Sequence, residues 1–469
     1  MSDPRTPTSP IADPSVSRHR VLVADDAPEV CLVVGRLLTK AGYEVATAED
    51  GQECLDKIAA FRPHLVVVDI MMPKVHGIDV LRQLGERGPA GHVDGKPIGV
   101  IVCSARAFDS DRERAMQLGA IDFLVKPIQK QRLLEVVGAF LSGASGVPPA
   151  ALAVNAPGLA DAPTLPATKD IYLPDLDASR GTLKLWGTRG SISVPGPTTS
   201  RHGGNTSCME VRHADDVVIF DAGTGIRGAG LALAKGGPRR VHVFVGHTHW
   251  DHIQGFPFFA PAYIPGFEIF IYGAKGFGKD LKNVFLGQLD AAYFPVDMRA
   301  MKATMTFVEL QENPVTIGGI RVFWEYAFHP GAAICFRIEA SGSTLGYLTD
   351  NEFLSGYIGH PARALATPSM LLPYAKLIRF FSGVEVLIAE AQYTCEEYLK
   401  KIGWGHTSVS NACVLAKLAG VKRWYVTHHD PLHDDDAVDR KVNLIRQILR
   451  EIEHPCEVGA AYDGMTLYR

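Results

Sequence analysis

The sequence predicts two α/β units of unequal size joined by a spacer, and three observations carry that prediction. Residues 20–142 alternate solid apolar runs with amphipathic ones, the pattern of a parallel sheet covered by helices on both faces. Residues 169–469 hold many short strand-like runs, each ending in a polar or Gly-rich loop, with helical candidates between them; this is the pattern of a mixed α/β domain with two sheets. Residues 143–168, GASGVPPAALAVNAPGLADAPTLPAT, contain almost no charge and no aromatic ring, which suits an extended, semi-rigid linker.

In the first unit, Arg20–Ala24, Tyr43–Thr47, His64–Val68, Ile98–Cys103 and Asp122–Val125 read as strands, and Glu29–Ala41 has apolar residues at helical spacing. In the second, the strand-like runs include Thr182–Trp186, Val217–Phe220, Val241–Val245, Ile269–Tyr272, Arg321–Tyr326, Leu345–Leu348, Val384–Ile388 and Arg423–Val426. Val409–Leu418 and Asp436–Ile452 read as helices. The weakly periodic stretch from Gly273 to Met301 reads as helices covering a cleft, and Phe256–Phe259 as packing. Residues 1–18 are rich in Ser, Pro, Thr and Asp, lack the apolar core of a signal peptide and read as a disordered tail. The boundaries expected are thus a tail over 1–18, a first domain over 19–142, a linker over 143–168 and a second domain over 169–469.

Composition narrows the function classes. Apolar residues make up 46% and charged residues 21% of the 469, as in ordinary globular proteins. The formal net charge is −4, from 47 basic and 51 acidic residues, so a nucleic-acid ligand would need a local site, not a global field. No run is long and apolar enough to span a bilayer. The 8 cysteines form no CxxC pair and read as reduced thiols of a cytoplasmic protein. No DNA-binding helix-turn-helix is recognisable.

Polar residues gather at the strand ends of the first unit: Asp25 and Asp26 after the first strand, Asp69 after the third, Ser104 after the fourth, Lys126 after the fifth. In an open parallel sheet these ends form the ligand crevice. Three carboxylates there repel one another unless a cation joins them, and a hard divalent ion such as Mg²⁺ suits oxygen ligands. A nearby lysine and hydroxyl can steady a phosphoryl group carried by one carboxylate. The ordered set DD, D-x-M-M-P, S-A and K-P resembles the receiver domain of two-component response regulators. That resemblance implies a flavodoxin-like (βα)5 fold and makes Asp69 the phospho-acceptor. It assigns Asp25, Asp26, Asp69 and the Met71 carbonyl to Mg²⁺, Lys126 to the phosphoryl group, and Ser104 and Phe123 to the switch. A histidine kinase is the implied partner. The stretch Glu86–Lys96 is longer than receivers usually carry there.

The second unit holds a denser signal. Gly246-His-Thr-His-Trp-Asp-His252 directly follows an apolar strand. Imidazole and carboxylate at this density suit zinc or another first-row ion, and they exceed what one catalytic zinc needs. His329, Asp350, His428 and Asp221 also follow apolar strands, so the strands deliver His and Asp repeatedly to one edge. The H-x-H-x-D-H motif with a downstream His, Asp and His resembles the metallo-β-lactamase fold, an αββα sandwich. The resemblance puts one metal on His247, His249 and His329 and another on Asp251, His252 and His428, with Asp350 bridging. It makes Asp221 a buried carboxylate that orients the ligands. Trp186-Gly-Thr-Arg-Gly-Ser-Ile192, His202–Ser207 and Gly405-His-Thr-Ser408 are similar to the ribonuclease Z-like and cyclic-phosphodiesterase-like branch.

Two metals about 3.5–4 Å apart supply a nucleophile near neutral pH and neutralise charge building on a phosphoryl group. Asp251 and Asp350 would orient that nucleophile, and His406 would stabilise the transition state or protonate the leaving oxygen. His202 and the cluster His429, Asp430 and His433 read as solvated polar loops. The expected protein is a response regulator whose phosphorylation at Asp69 controls a dimetal hydrolase, acting as a phosphodiesterase on RNA or a small nucleotide. Zinc is the expected metal, with Mn and Fe as alternatives. Hydrolysis of a thioester or lactone, or a non-enzymatic di-iron signalling module, are the competing readings, and a homodimer is left open.

Overall fold

A computed structural model of the chain describes residues 19–72, 74–86, 91–104, 109–126, 128–142, 181–274, 280–296 and 298–468. The expected tail over 1–18 and linker over 143–168 lie outside the described residues, as does part of the long stretch before the fourth strand. The chain divides into two compact units.

The first unit is a five-stranded parallel sheet. Its strands are β1 (Arg20–Ala24), β2 (Glu44–Ala48), β3 (Leu65–Asp69), β6 (Gly99–Ser104) and β7 (Asp122–Val125), in the order β2-β1-β3-β6-β7. Helices α1 (Pro28–Lys40), α2 (Gly51–Phe61), α3 (Gly77–Glu86), α4 (Asp109–Gln117) and α5 (Lys130–Leu141) connect them. Strand β3, Leu-Val-Val-Val-Asp, is buried throughout, as a central strand covered on both faces must be. Asp50 caps α2 by accepting from the Glu53 N–H at 2.8 Å, and Glu53 reaches back to the Glu49 N–H at 2.7 Å. Before β6 the chain adds a small hairpin, β4 (His92–Val93) and β5 (Lys96–Pro97), inside the stretch whose length stood out in the sequence.

The second unit stacks two seven-stranded sheets. One contains β8 (Thr182–Gly187), β9 (Cys208–His213), β10 (Asp216–Phe220), β11 (Arg240–Val245), β12 (Glu268–Gly273), β13 (Thr304–Glu309) and β21 (Thr466–Tyr468), in the order β13-β12-β11-β10-β9-β8-β21. The other contains β14 (Val315–Ile317), β15 (Ile320–Tyr326), β16 (Ile334–Ala340), β17 (Ser343–Leu348), β18 (Val386–Glu390), β19 (Arg423–Thr427) and β20 (Glu457–Ala460), in chain order across the sheet. Their facing sides enclose one core of Leu183, Phe220, Phe244, Phe336, Tyr347 and Ile388.

Helices cover both outer faces. Helices α6 (Ile226–Ala234), α7 (Trp250–Ile253) and α8 (Leu281–Gln288) lie on the first sheet. On the second lie α9 (Pro361–Leu365), α10 (Pro368–Leu371), α11 (Ala375–Phe381), α12 (Cys395–Tyr398), α13 (Val409–Ala419) and α14 (Asp435–Glu451). The result is the four-layer αββα sandwich.

Three readings change. The run Val384–Ile388 begins its ladder only at β18 Val386, because the Val384 N–H closes a turn onto Phe381 O at 3.2 Å. Within Gly273–Met301 the described residues form one α-helix, α8, and a single 3-10 turn at Met298–Ala300, and α8 packs into the outer layer, with Phe285 against Phe256 and Phe307. Within Phe256–Phe259, Phe256 and Phe259 pack inward, while Phe258 is largely exposed.

Candidate functional site

In the first unit the carboxyl ends of β1, β3 and β7 bring Asp25, Asp69 and Lys126 together. Lys126 Nζ lies 2.5 Å from both Asp25 and Asp69. Asp25 also accepts from the Ala27 N–H at 3.1 Å, and Asp69 from the Met71 N–H at 2.6 Å. Asp26 stands beside them, and Ser104 is buried at the end of β6. Phe123 is buried in β7. Burial lifts Asp69 to about 7, with Asp25 and Asp26 adding to the rise against the pull of Lys126. Burial opposes the charge on Lys126, but Asp69 and Asp25 outweigh it and hold the ammonium above its ordinary range. Gly77 allows this loop to close: a Cβ there would stand 2.1 Å from the Asp69 carbonyl oxygen. The crevice sets Lys126 among buried carboxylates, the charge pattern that a hard divalent ion and a phosphoryl group complement.

In the second unit, strand ends from both sheets converge. β11 leads into His247, His249, Asp251 and His252, β15 into His329, β17 into Asp350, and β19 into His428. Their donor atoms form two adjoining groups, His247–His249–His329 and Asp251–His252–Asp350–His428, each with its atoms within 4.8 Å of one another, and His406 makes a third such group with His329 and Asp350. His249 Nδ1 lies 2.8 Å from His247 Nε2 and 3.1 Å from His329 Nε2. Asp350 stands between the groups, 3.0 Å from His252 Nε2, 3.2 Å from His428 Nε2, and 3.8 Å from both His247 and His329.

The chemistry of these donors fits divalent metal. Burial, reinforced by neighbouring imidazoles, holds His247 and His329 well below their ordinary pKa, so neutral nitrogens face each other. Burial works against charge on His252 too, but Asp251, Asp350 and Asp221 outweigh it and raise it. Burial pushes Asp251 up, yet His252 and His428 hold it well below the usual carboxylate range. Among the described residues, His252 Nε2, Asp350 Oδ2 and His428 Nε2 are buried without a hydrogen-bond partner. Buried polar atoms left without hydrogen-bond partners, on imidazoles and carboxylates gathered this closely, are what a cation satisfies.

Four of these donor residues, His252, His329, His428 and Asp251, are fixed on their far side. Asp221 is fully buried with φ 63° and lies 2.9 Å from His252 Nδ1. It accepts from the Gly246 N–H at 2.7 Å and the Tyr347 hydroxyl at 3.0 Å. The Gly405 carbonyl lies 2.8 Å from His329 Nδ1, Ser207 Oγ lies 3.0 Å from His428 Nδ1, and the Ser191 N–H donates to Asp251 at 2.7 Å. Gly405 has φ 88°, and a Cβ there would meet His329 Nδ1 at 2.3 Å, so only glycine permits the approach.

His406 is buried beside these donor residues, 3.9 Å from Asp350 and 3.1 Å from Glu390. Burial lowers its basicity, but Glu390 outweighs that and lifts it to about 9. His202, His429, Asp430 and His433 are not solvated. They are buried under α14 because each has a partner: Asp439 for His202, Ala461 O for His429, Lys401 for Asp430 and Glu397 for His433.

Two carboxylates escaped the sequence reading. Glu390 ends β18 and accepts from the Asn351 and Thr407 backbone as well as facing His406. It obeys the same rule as Asp350, a polar residue closing an apolar strand, and that signal could have found it. Glu352 is fully buried and accepts from Tyr398, Ser355, Gly403 and Gly405. No spacing marks it.

Residues 21–138 match the response regulator receiver domain family, and residues 217–429 match the family described as β-lactamase superfamily domain. Over 119 residues, 25% of this chain, the sequence is 37% identical to the chemotaxis protein CheY of Thermotoga maritima and covers 93% of it. The chain belongs to the response regulator receiver family. A β-lactamase-superfamily domain follows its receiver domain. The receiver is also 42% identical over 122 residues to the response regulator MprA of Mycolicibacterium vanbaalenii, of which the match spans only 50%. Among solved structures, the metallo-β-lactamase fold protein YhfI of Bacillus subtilis aligns with 61% of this chain and 99% of its own, at 18% identity and a TM-score of 0.44. The receiver domain implies a histidine kinase as partner. Among the described residues no helix is long and apolar enough to cross a membrane.

Proposed function

We propose that this protein is a cytoplasmic response regulator whose output is a dimetal phosphodiesterase, with phosphorylation of Asp69 by a histidine kinase as the control. The observation that carries the hydrolase reading is the pair of adjoining donor groups, with Asp350 between them and buried polar atoms there that lack hydrogen-bond partners. His247, His249 and His329 would hold one divalent ion, Asp251, His252 and His428 the other, and Asp350 both; zinc suits this His-rich set. Bound there, the ions would supply a water-derived nucleophile near neutral pH and offset charge on a phosphoryl group.

The chain's own residues do the rest. Asp221 and the Gly405 carbonyl fix ring orientation and tautomer at His252 and His329. Asp251 is steered by the Ser191 N–H. His406, paired with Glu390, would keep a proton at its ring and pass it to a departing oxygen. In the receiver, Asp69 would accept the phosphoryl group with Lys126 and Ser104 in contact with it, Asp25, Asp26, Asp69 and the Met71 carbonyl would hold Mg²⁺ to offset its charge, and Phe123 would repack.

The test is hydrolysis of bis(p-nitrophenyl) phosphate by protein of measured metal content, beside Asp251→Ala. Activity that follows two metals per chain and is lost in the variant supports the reading. A metal-loaded protein inert on diesters but active on thioesters or lactones would overturn the phosphodiesterase. Equal rates with and without Asp69 phosphorylation would sink the control.

A further inference from the structure

Large apolar side chains left in water concentrate at one edge of the second unit. Ile192, Trp250, Phe258, Trp404 and Leu432 are all more than half exposed. They follow β8, β11, β18 and β19 in the chain. Those strands belong to both sheets, and β11 and β19 are two that deliver the ligand residues. Exposed apolar groups scattered singly need no explanation, but a ring of them around a polar centre marks a binding site.

Three of them are covalently tied to the ligand scaffold. Trp250 is 78% exposed although it lies between His249 and Asp251. Trp404, 62% exposed, precedes Gly405, whose carbonyl meets His329. Ile192 follows Ser191, whose N–H holds Asp251. One indole on the loop that carries His247 to His252 and another on the loop that holds the His329 ring are an expensive surface to leave in water, and they offer flat faces beside a site for a negatively charged group.

The charges nearby choose between substrates. A single-stranded polymer needs a cationic track for its backbone. Here Lys401, which lies over the Tyr393 and Trp404 rings, is neutralised by Asp430 at 2.7 Å. Arg201 is held by Asp436 and Asp439, and α14 opens with Asp434, Asp435 and Asp436. Lys401 and Arg201 are thus neutralised by their own carboxylates, and no continuous cationic track is seen among the described residues, which suits one base and one phosphate rather than a chain of phosphates.

We infer that Trp250 and Trp404 are stacking faces for the base of a small nucleotide whose phosphate reaches the metal-ligand cluster, an assignment of substrate class that rests on the proposed hydrolase site. The experiment is calorimetric titration of the metal-loaded full-length protein with adenosine 5′-phosphate, with ribose 5-phosphate, and with a 20-nucleotide single-stranded RNA at two salt concentrations. The base should tighten binding about tenfold over ribose 5-phosphate, in the range of base–aromatic stacking. Trp250→Ala and Trp404→Ala should each erase most of that difference while leaving ribose 5-phosphate affinity, metal content and melting temperature unchanged.

Equal affinity for the two phosphates, no binding of either, or a preference that survives both substitutions overturns the inference. So does RNA binding that is much tighter than the mononucleotide and collapses with salt. Base-selective binding without diester turnover would fail the hydrolase proposal and keep the stacking site, and turnover without base selectivity would do the reverse.

Discussion

Replacing Glu352 with Gln should loosen the metal site from a residue that never touches it. Glu352 Oε1 accepts from the Tyr398 hydroxyl at 2.7 Å, the Gly403 N–H at 2.9 Å and Ser355 Oγ at 3.0 Å, while Oε2 accepts from the Gly405 N–H at 3.0 Å. The carboxylate thus ties together the loops after β17 and β18, and the Gly405 carbonyl then sets the ring of His329. In Glu352→Gln the amide oxygen can keep the three donors on one side. Its NH₂ then faces the Gly405 N–H, donor against donor. One charge-assisted bond is lost, worth about 1.5–3 kcal/mol, and three others weaken to neutral strength. Relief of the buried charge offsets part of this, so the net cost is about 2–4 kcal/mol. With His329 poorly oriented, metal affinity should fall about 10–100-fold. Urea unfolding and competition with a chromophoric chelator measure the two effects. The control is Glu339→Gln, which breaks a half-exposed pair with Arg321 and should cost under about 1 kcal/mol. If Glu352→Gln matches that control in both assays, the chain from Glu352 through Gly405 to His329 is not what holds the ring.

Lys126→Met removes the one cation between two buried carboxylates, so the receiver's melting transition should drop by about 3–5 kcal/mol in stability and recover in part with added Mg²⁺. Phe336→Ala opens a cavity between the two sheets, where Phe336 is fully buried against Phe220, and should cost about 3–5 kcal/mol by urea titration. His242 is held at about 4 by burial, with Arg240 adding to it, against 6.5 ordinarily. Between those values the unfolded chain binds the proton and the folded one does not, so stability of the second unit should fall as pH drops from 6.5 toward 4. Discounted for partial exposure, the loss is about 1–2 kcal/mol, and His242→Phe should flatten the slope.

The layers of the fold were legible because buried strands are written as apolar runs, and the donor sets because each run ends on His or Asp. The ladder of Ile334–Ala340 was not, since Arg337 and Glu339 interrupt its apolar pattern and its identity as a strand rests on pairing with β15 and β17. Nor were the interior fates of His429, Asp430 and His433. Their composition is that of a solvated loop, and only Lys401, Glu397 and the cover of α14, all distant in sequence or supplied by folding, allow them to be buried. Glu352 is the clearest case: a carboxylate between Asn351 and Phe353 has no local mark, and its four donors are recruited from as far as Gly405.

The two donor groups draw on both sheets: His247, His249, Asp251 and His252 come from one, and His329, Asp350 and His428 from the other. Ions held there would act as a clasp across the seam of the sandwich, so their binding energy would also be cohesion between its halves. At free metal a hundred times Kd, that clasp would add about 2.7 kcal/mol to folding. Metal starvation would then soften the whole domain as it silenced the site, and a cell could clear the idle enzyme by proteolysis without any dedicated signal.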